Sequence, residues 1–232
     1  MSAHIDLTKV DVDGAVREAA DAVSGDTRLS FLRKAAIAGG TALSGGALLG
    51  ALVPTSALAA GSGRPPASFG AGDVGIFNYA LTLEYLEANF YAQAVANISF
   101  TDPHLAALAK VIAGHEAAHV AYLKAALGSK AVKKPKFDFG DAVTSQTTFT
   151  ATSQVLENTG VGAYFGQAFN ISKAADLKAA VSILTIEARH AGAIGYYNDP
   201  TAADVSPNGA FDKPKTAGSV LAAVAGTKFI VS

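Results

Sequence analysis

Two halves of this chain carry the same acidic signature, and that repetition limits what the chain can fold into. Glu84 is followed seven residues later by Tyr91, and thirty-two residues after Glu84 comes Glu116-Ala117-Ala118-His119. Glu157 is followed seven residues later by Tyr164, and thirty residues after Glu157 comes Glu187-Ala188-Arg189-His190. Seven residues are two helical turns, so each Glu shares a helix face with its Tyr. In Glu-x2-His the carboxylate and imidazole stand at i and i+3, again on one face. Both Glu-x2-His pairs lie in apolar stripes, with Ile112, Val120 and Leu123 around the first and Ile183, Leu184 and Ile194 around the second. Charge on an interior face is costly unless it is paired or binds a metal. Beyond residue 60 the chain has five Glu, and four of them fall in this pattern.

The surrounding residues predict four helices. Ile76, Phe77, Ala80, Leu83, Leu86, Phe90 and Ala94 recur at helical spacing from Asp73 to about Asn97. Thr101-Asp102-Pro103 opens a second helix, with Thr101 as the cap, and Gly128 ends it. Residues 129–142, rich in Lys with Pro135 and Gly140, read as loop. A third helix is expected from about Val143 to Phe169, and a fourth, capped by Ser172, up to Asn198 before Pro200. The tail from 199 reads as mostly irregular, with a short apolar stretch at Val220 to Ala225.

Connection lengths then set the topology. Short links within each pair make antiparallel neighbours. The middle link, at about fourteen residues, can reach roughly 45 Å at ~3.3 Å per residue, and a helix of about 25 residues is roughly 38 Å long. The link can therefore run the length of the bundle. The expected fold is all-α: two antiparallel helix pairs joined by a long crossover, with a short irregular C-terminal tail. In this register Glu84, Glu116, Glu157, Glu187, His119 and His190 stand at equal distances from their hairpin turns, so all six meet in one layer. Glu87 lies one turn nearer the hairpin and lacks a counterpart in the second half, where Gly160 occupies the equivalent place; Glu84 is taken as the ligand and Glu87 as a neighbour or spectator.

The leading residues read differently. Residues 1–26 are polar and acidic; Arg28, Arg33 and Lys34 follow, then an uncharged run of Ala, Gly and Leu ending Ala57-Leu58-Ala59. Positive flank, apolar stretch and small-residue exit outline an export signal. Thr27-Arg28-Leu29-Ser30-Phe31-Leu32-Arg33 resembles the twin-arginine export motif, with Leu29 where the second arginine belongs. The expected organisation is an export signal with an N-terminal extension over 1–59, a linker over 60–72, the bundle over 73–198 and the tail over 199–232. The protein is then expected outside the cytoplasm, periplasmic or extracellular, with no membrane contact after signal removal; the alternative is an anchor that stays attached. With no cysteine, disulfides, thiolate metal sites and cysteine catalysis are excluded. A net charge of −1 removes the electrostatic case for nucleic-acid binding. The only Met is Met1, and Trp is absent as well, so the part after the signal would lack the most readily oxidised side chains.

The pattern of two carboxylate-bearing helices and two Glu-x2-His helices resembles the di-iron and di-manganese carboxylate proteins of the ferritin-like superfamily. Tyr79-Ala80-Leu81-Thr82-Leu83-Glu84-Tyr85-Leu86-Glu87 resembles bacterial ferritin-like domain proteins that include desiccation-related proteins. The resemblance implies Glu84 and Glu157 as terminal ligands, Glu116 and Glu187 as bridges, and His119 and His190 as one imidazole per metal. Tyr91 and Tyr164 would donate hydrogen bonds behind the ligands. Oxygen-rich ligation suits two Fe ions, or alternatively two Mn ions. The implied partners are metal ions with oxygen or peroxide, and a homo-oligomer is left open. The implied activity is a di-metal oxidoreductase, ferroxidase, peroxidase or catalase-like, in stress protection. The alternatives are a non-catalytic protective or structural protein whose metal only stabilises the bundle, and iron storage. His104 and His115 read as surface residues.

Overall fold

Apolar side chains at helical spacing build four long helices in the residues described by a computed structural model, 63–231 other than 200 and 202. These are α1 (Gly72–Asn97), α2 (Pro103–Leu127), α3 (Gln146–Ala168) and α4 (Ala174–Asn198). The expected export signal and the first linker residues lie outside the described residues. No helix among the described residues is long and apolar enough to cross a membrane.

The fold is an all-α, ferritin-like four-helix bundle. α1 packs along α2 and α3 along α4. The crossover starts beside the beginning of α1, where Asn78 Nδ2 donates to Lys130 O at 3.0 Å and Asn78 Oδ1 accepts from Val132 N at 2.9 Å. It ends beside the far part of α1, where Phe90 packs edge-on to Phe139 and stacks on Phe149. The chain therefore travels the bundle's length between α2 and α3, and α3 runs antiparallel to α1.

Local chemistry moves several boundaries. Asp102, not Thr101, caps α2: its carboxylate accepts from His104 N at 2.7 Å and Leu105 N at 3.3 Å, with Pro103 in the first turn. A carboxylate meets the exposed N–H groups with full charge, where a threonine offers only a hydroxyl. Ser172 does not cap α4. The amides of Ser172 and Lys173 instead donate to the Asp73 carboxylate of α1, each at 2.9 Å. That tie joins the start of α1 to the start of α4. Gly140–Val143 forms a separate 3-10 turn, and α3 begins after Ser145, whose hydroxyl accepts from Thr148 N.

The tail is more regular than its sequence suggests. α5 (Ala217–Thr227), capped by Thr216, buries Ala217, Val220 and Val224 and packs on α3. Lys136–Phe137 (β1) in the crossover pairs antiparallel with Ile230–Val231 (β2). Lys215 N donates to Gly162 O at 2.9 Å, and a Cβ at Gly166 would overlap the Lys215 carbonyl. The tail thus lies directly on the α3 backbone.

Phe90, Tyr91, Phe139 and Phe149 anchor one apolar cluster with α5; Phe77, Leu81, Leu123 and Ile183 anchor another. Along α1 the buried carboxylates Glu84 and Glu87 fall between Leu81 and Phe90.

Candidate metal centre

Each bundle helix turns at least one carboxylate inward. Glu84 and Glu87 come from α1, Glu116 and His119 from α2, Glu157 from α3, and Glu187 and His190 from α4. Glu84, Glu116, Glu157 and Glu187 are completely buried. The structure brings together all six residues that the sequence reading singled out as ligands. They form two overlapping clusters, Glu84–Glu116–His119–Glu187 and Glu116–Glu157–Glu187–His190, with candidate ligand atoms within 4.8 Å of one another in each. Glu116 and Glu187 belong to both.

The imidazoles face the carboxylates through Nδ1. His119 Nδ1 lies 3.2 Å from Glu84 Oε2, 3.3 Å from Glu116 Oε2 and 3.2 Å from Glu187 Oε1. His190 Nδ1 lies 3.1 Å from Glu116 Oε1 and 3.3 Å from Glu157 Oε2. Behind these groups, Tyr91 donates to Glu157 Oε1 and Tyr164 to Glu84 Oε1, each at 2.5 Å.

Five buried polar atoms here lack a hydrogen-bond partner among the described residues: Glu116 Oε1, Glu157 Oε2, both Glu187 oxygens and His190 Nδ1. Some lie within ion-pair distance, but the angles do not align a proton. Buried oxygens and a ring nitrogen left without hydrogen-bond partners fit a cation.

Electrostatics agree with that fit. Burial, then the Glu116 charge, pushes Glu84 up to about 8. Burial and neighbouring carboxylates hold Glu87 and Glu187 well above the usual range and raise Glu157 as well. For Glu116 burial acts upward too, but the adjacent imidazoles of His119 and His190 outweigh it and bring it to about 2. The histidines respond in kind: burial disfavours their charge, yet the surrounding carboxylates raise His119 to about 12 and His190 to about 9. Without a cation, protons take its place.

Three residues gain meaning only in the structure. Glu87, expected as a neighbour, is itself almost fully buried, and it belongs to neither cluster. Gly160 leaves the space these groups occupy: a Cβ there would stand 2.9 Å from Glu187 Oε2 and 3.4 Å from Glu87 Oε1. His115 is exposed, as the sequence suggests, and it also touches a residue of the layer. Its Nδ1 lies 2.9 Å from His190 Nε2, with the ring centroids 5.2 Å apart and the ring planes at 13°. Burial and the two neighbouring histidines lower its pKa. The residue directly before a Glu-x2-His motif is the only signal that could have drawn attention to it. His104 sits at the start of α2, away from the layer, as expected.

Residues 72–198 match the ferritin-like domain family. The chain belongs to that family. Its match begins with α1 and ends with α4, so the ferritin-like domain contains the whole carboxylate layer. No curated protein matches the chain.

Proposed function

We propose that this ferritin-like protein holds two Fe ions, or alternatively two Mn ions, and uses them to oxidise Fe(II) or to handle peroxide. The observation that carries the reading is the pair of overlapping clusters sharing Glu116 and Glu187. In it, Glu84 and Glu157 are terminal ligands, Glu116 and Glu187 bridge, and His119 and His190 each serve one ion. Oxygen-rich sites with one imidazole each favour Fe or Mn over thiolate-seeking metals. When bound, such a pair supplies redox chemistry towards oxygen or peroxide.

The chain's own residues prepare the site. Tyr91 and Tyr164 hold one oxygen of Glu157 and of Glu84, leaving the other oxygen of each beside an imidazole. The apolar clusters keep bulk water from the carboxylates. A groove of about 460 Å³ between α2 and α4, lined by His119, Tyr122, Ile183 and Ile186, gives small molecules a way to the layer. Export through the signal-like segment before residue 60 belongs to the same proposal, and a chain without Met, Cys or Trp after Met1 suits an oxidising setting.

Metal analysis of protein taken from its native compartment tests the reading. Two equivalents of Fe or Mn per chain are expected, with both lost in Glu116→Ala combined with Glu187→Ala. One equivalent of zinc, indifferent to those changes, would refute it. Loaded protein that binds both ions yet consumes neither peroxide nor Fe(II) would leave the metal a purely structural role.

A further inference from the structure

The two halves of the site differ at the residue before each Glu-x2-His motif. The residue before Glu116 is His115, whereas the residue before Glu187 is Ile186. His115 reaches from α2 across to α4, where its Nδ1 meets His190 Nε2 at 2.9 Å and its ring lies at 13° to that of His190. Ile186 offers His119 nothing comparable. His119 and Ile186 line the same groove between α2 and α4. Among the described residues His119 makes its polar contacts through Nδ1, and none is made to its Nε2.

The direction of the His115–His190 bond follows from the site. A neutral imidazole that presents Nδ1 to an ion carries its proton on Nε2. His190 Nε2–H therefore donates, and His115 Nδ1 accepts. A hydrogen bond of this kind fixes the ring's orientation and tautomer and raises its basicity as a ligand; losing one typically costs about 10- to 100-fold in metal affinity. His190 has that support and His119 has none from the described residues.

We propose that His115 positions His190, so that the two ion positions are inequivalent. The position built on Glu116, Glu157, Glu187 and His190 binds the more tightly. The position built on Glu84, Glu116, Glu187 and His119, beside the groove, fills second and exchanges. The inference rests on the dinuclear reading above. His115 is a positioning residue here, since it acts on the ion only through His190.

Anaerobic titration of the full chain with Mn(II), followed by calorimetry and by the electron paramagnetic resonance of free Mn(II), tests it. The wild-type chain should bind two ions in resolved steps. His115→Ala should weaken the tighter step by about 10- to 100-fold and leave the weaker one in place. His115→Gln, which keeps an acceptor at that position, should recover much of the loss. Ile186→His, which gives the second half the same partner, should tighten the weaker step and draw the two together. Indistinguishable steps in the wild-type chain, or a His115→Ala variant that shifts both steps alike or neither, overturns the proposal. If His115→Ala fails to fold, Ile186→His decides alone, and an unchanged weaker step overturns it. Fewer than two Mn(II) per wild-type chain, or two that survive loss of Glu116 and Glu187, overturns the dinuclear reading itself.

Discussion

The Tyr164 hydroxyl on α3 donates to Glu84 Oε1 on α1 at 2.5 Å, across the two halves of the chain. Tyr91 on α1 returns the arrangement to Glu157 Oε1 on α3 at the same distance. In each carboxylate the tyrosine takes Oε1, and Oε2 is left 3.2 or 3.3 Å from a histidine. The internal repeat is therefore crossed at the level of single atoms: each half orients a carboxylate of the other half. Tyr164→Phe should leave Glu84 Oε1 buried without its donor, at about 1–3 kcal/mol of stability. Loss of such an outer partner should also weaken ion binding by about 10- to 100-fold. Tyr91→Phe should do the same through Glu157. Calorimetric melting and Mn(II) titration check both, and a pair of variants matching the wild-type chain in both measurements would remove the tyrosines from the site.

Gly160 predicts a separation of stability from loading. In a helix interior, replacing Gly by Ala favours the helix by about 1 kcal/mol. Here the new Cβ would stand 2.9 Å from Glu187 Oε2, so that carboxylate must shift. Gly160→Ala should keep its melting temperature without metal and lose affinity for both equivalents of Mn(II), since Glu187 belongs to both clusters. Equal loading with raised stability would show that the glycine has no role in the layer.

Glu84 and Glu87 are both buried on α1, one turn apart, and only Glu84 lies in a cluster. Glu84→Gln removes a proposed ligand and should weaken loading by more than the roughly 100-fold expected for an outer partner. Glu87→Gln should change loading only slightly. Because burial and the Glu187, Glu157 and Glu116 charges hold Glu87 well above the usual carboxylate range, the amide mimics the protonated form that this environment favours. Its apo melting temperature should be unchanged or higher. The reverse ranking of the two variants in a Mn(II) titration would place Glu87 on the metal.

Periodicity made the bundle and its carboxylate layer legible, because helical spacing fixes which residues of one helix share a face and a hairpin fixes their height. It said nothing about reach between helices. His115 stands beside Glu116 on its own helix and off that residue's face, and only the closeness of α4 turns it towards His190. The Asp73 carboxylate was equally hidden: it replaces a cap for α4 from about a hundred residues away, a relation no local rule contains. In the tail, α5 buries only three residues and β2 has two, too few to show a period. The local signs of α5 were the short apolar stretch at Val220 to Ala225 and the capping threonine Thr216, whose hydroxyl accepts from Ser219 N.

Protonation links the site to stability. Glu84, raised to about 8, and Glu157, Glu87 and Glu187, also raised, bind a proton more strongly in the folded chain than at their ordinary value of 4.5. What each contributes to stability is complete below that ordinary value and is lost as pH rises through the folded one. His190 and His119, raised from 6.5 to about 9 and about 12, have the same sign: their contribution is complete below 6.5 and fades above it. Glu116 alone runs the other way. Lowered to about 2, it contributes above 4.5 and loses that contribution as pH falls towards 2. The metal-free chain should therefore melt at progressively lower temperature from pH 5 to pH 9. A divalent cation displaces the same protons, so its binding tightens over that range. At a hundredfold excess over the dissociation constant it adds about 2.7 kcal/mol. Anaerobic Fe(II) or Mn(II) should raise the melting temperature more at pH 7 than at pH 5. Glu116→Gln with Glu187→Gln should fold without metal, show a flatter pH dependence and gain nothing from either ion. A metal-free melting temperature that climbs from pH 5 to pH 9, or an equal response to Mn(II) in that double variant, would show that these carboxylates do not share one interior site.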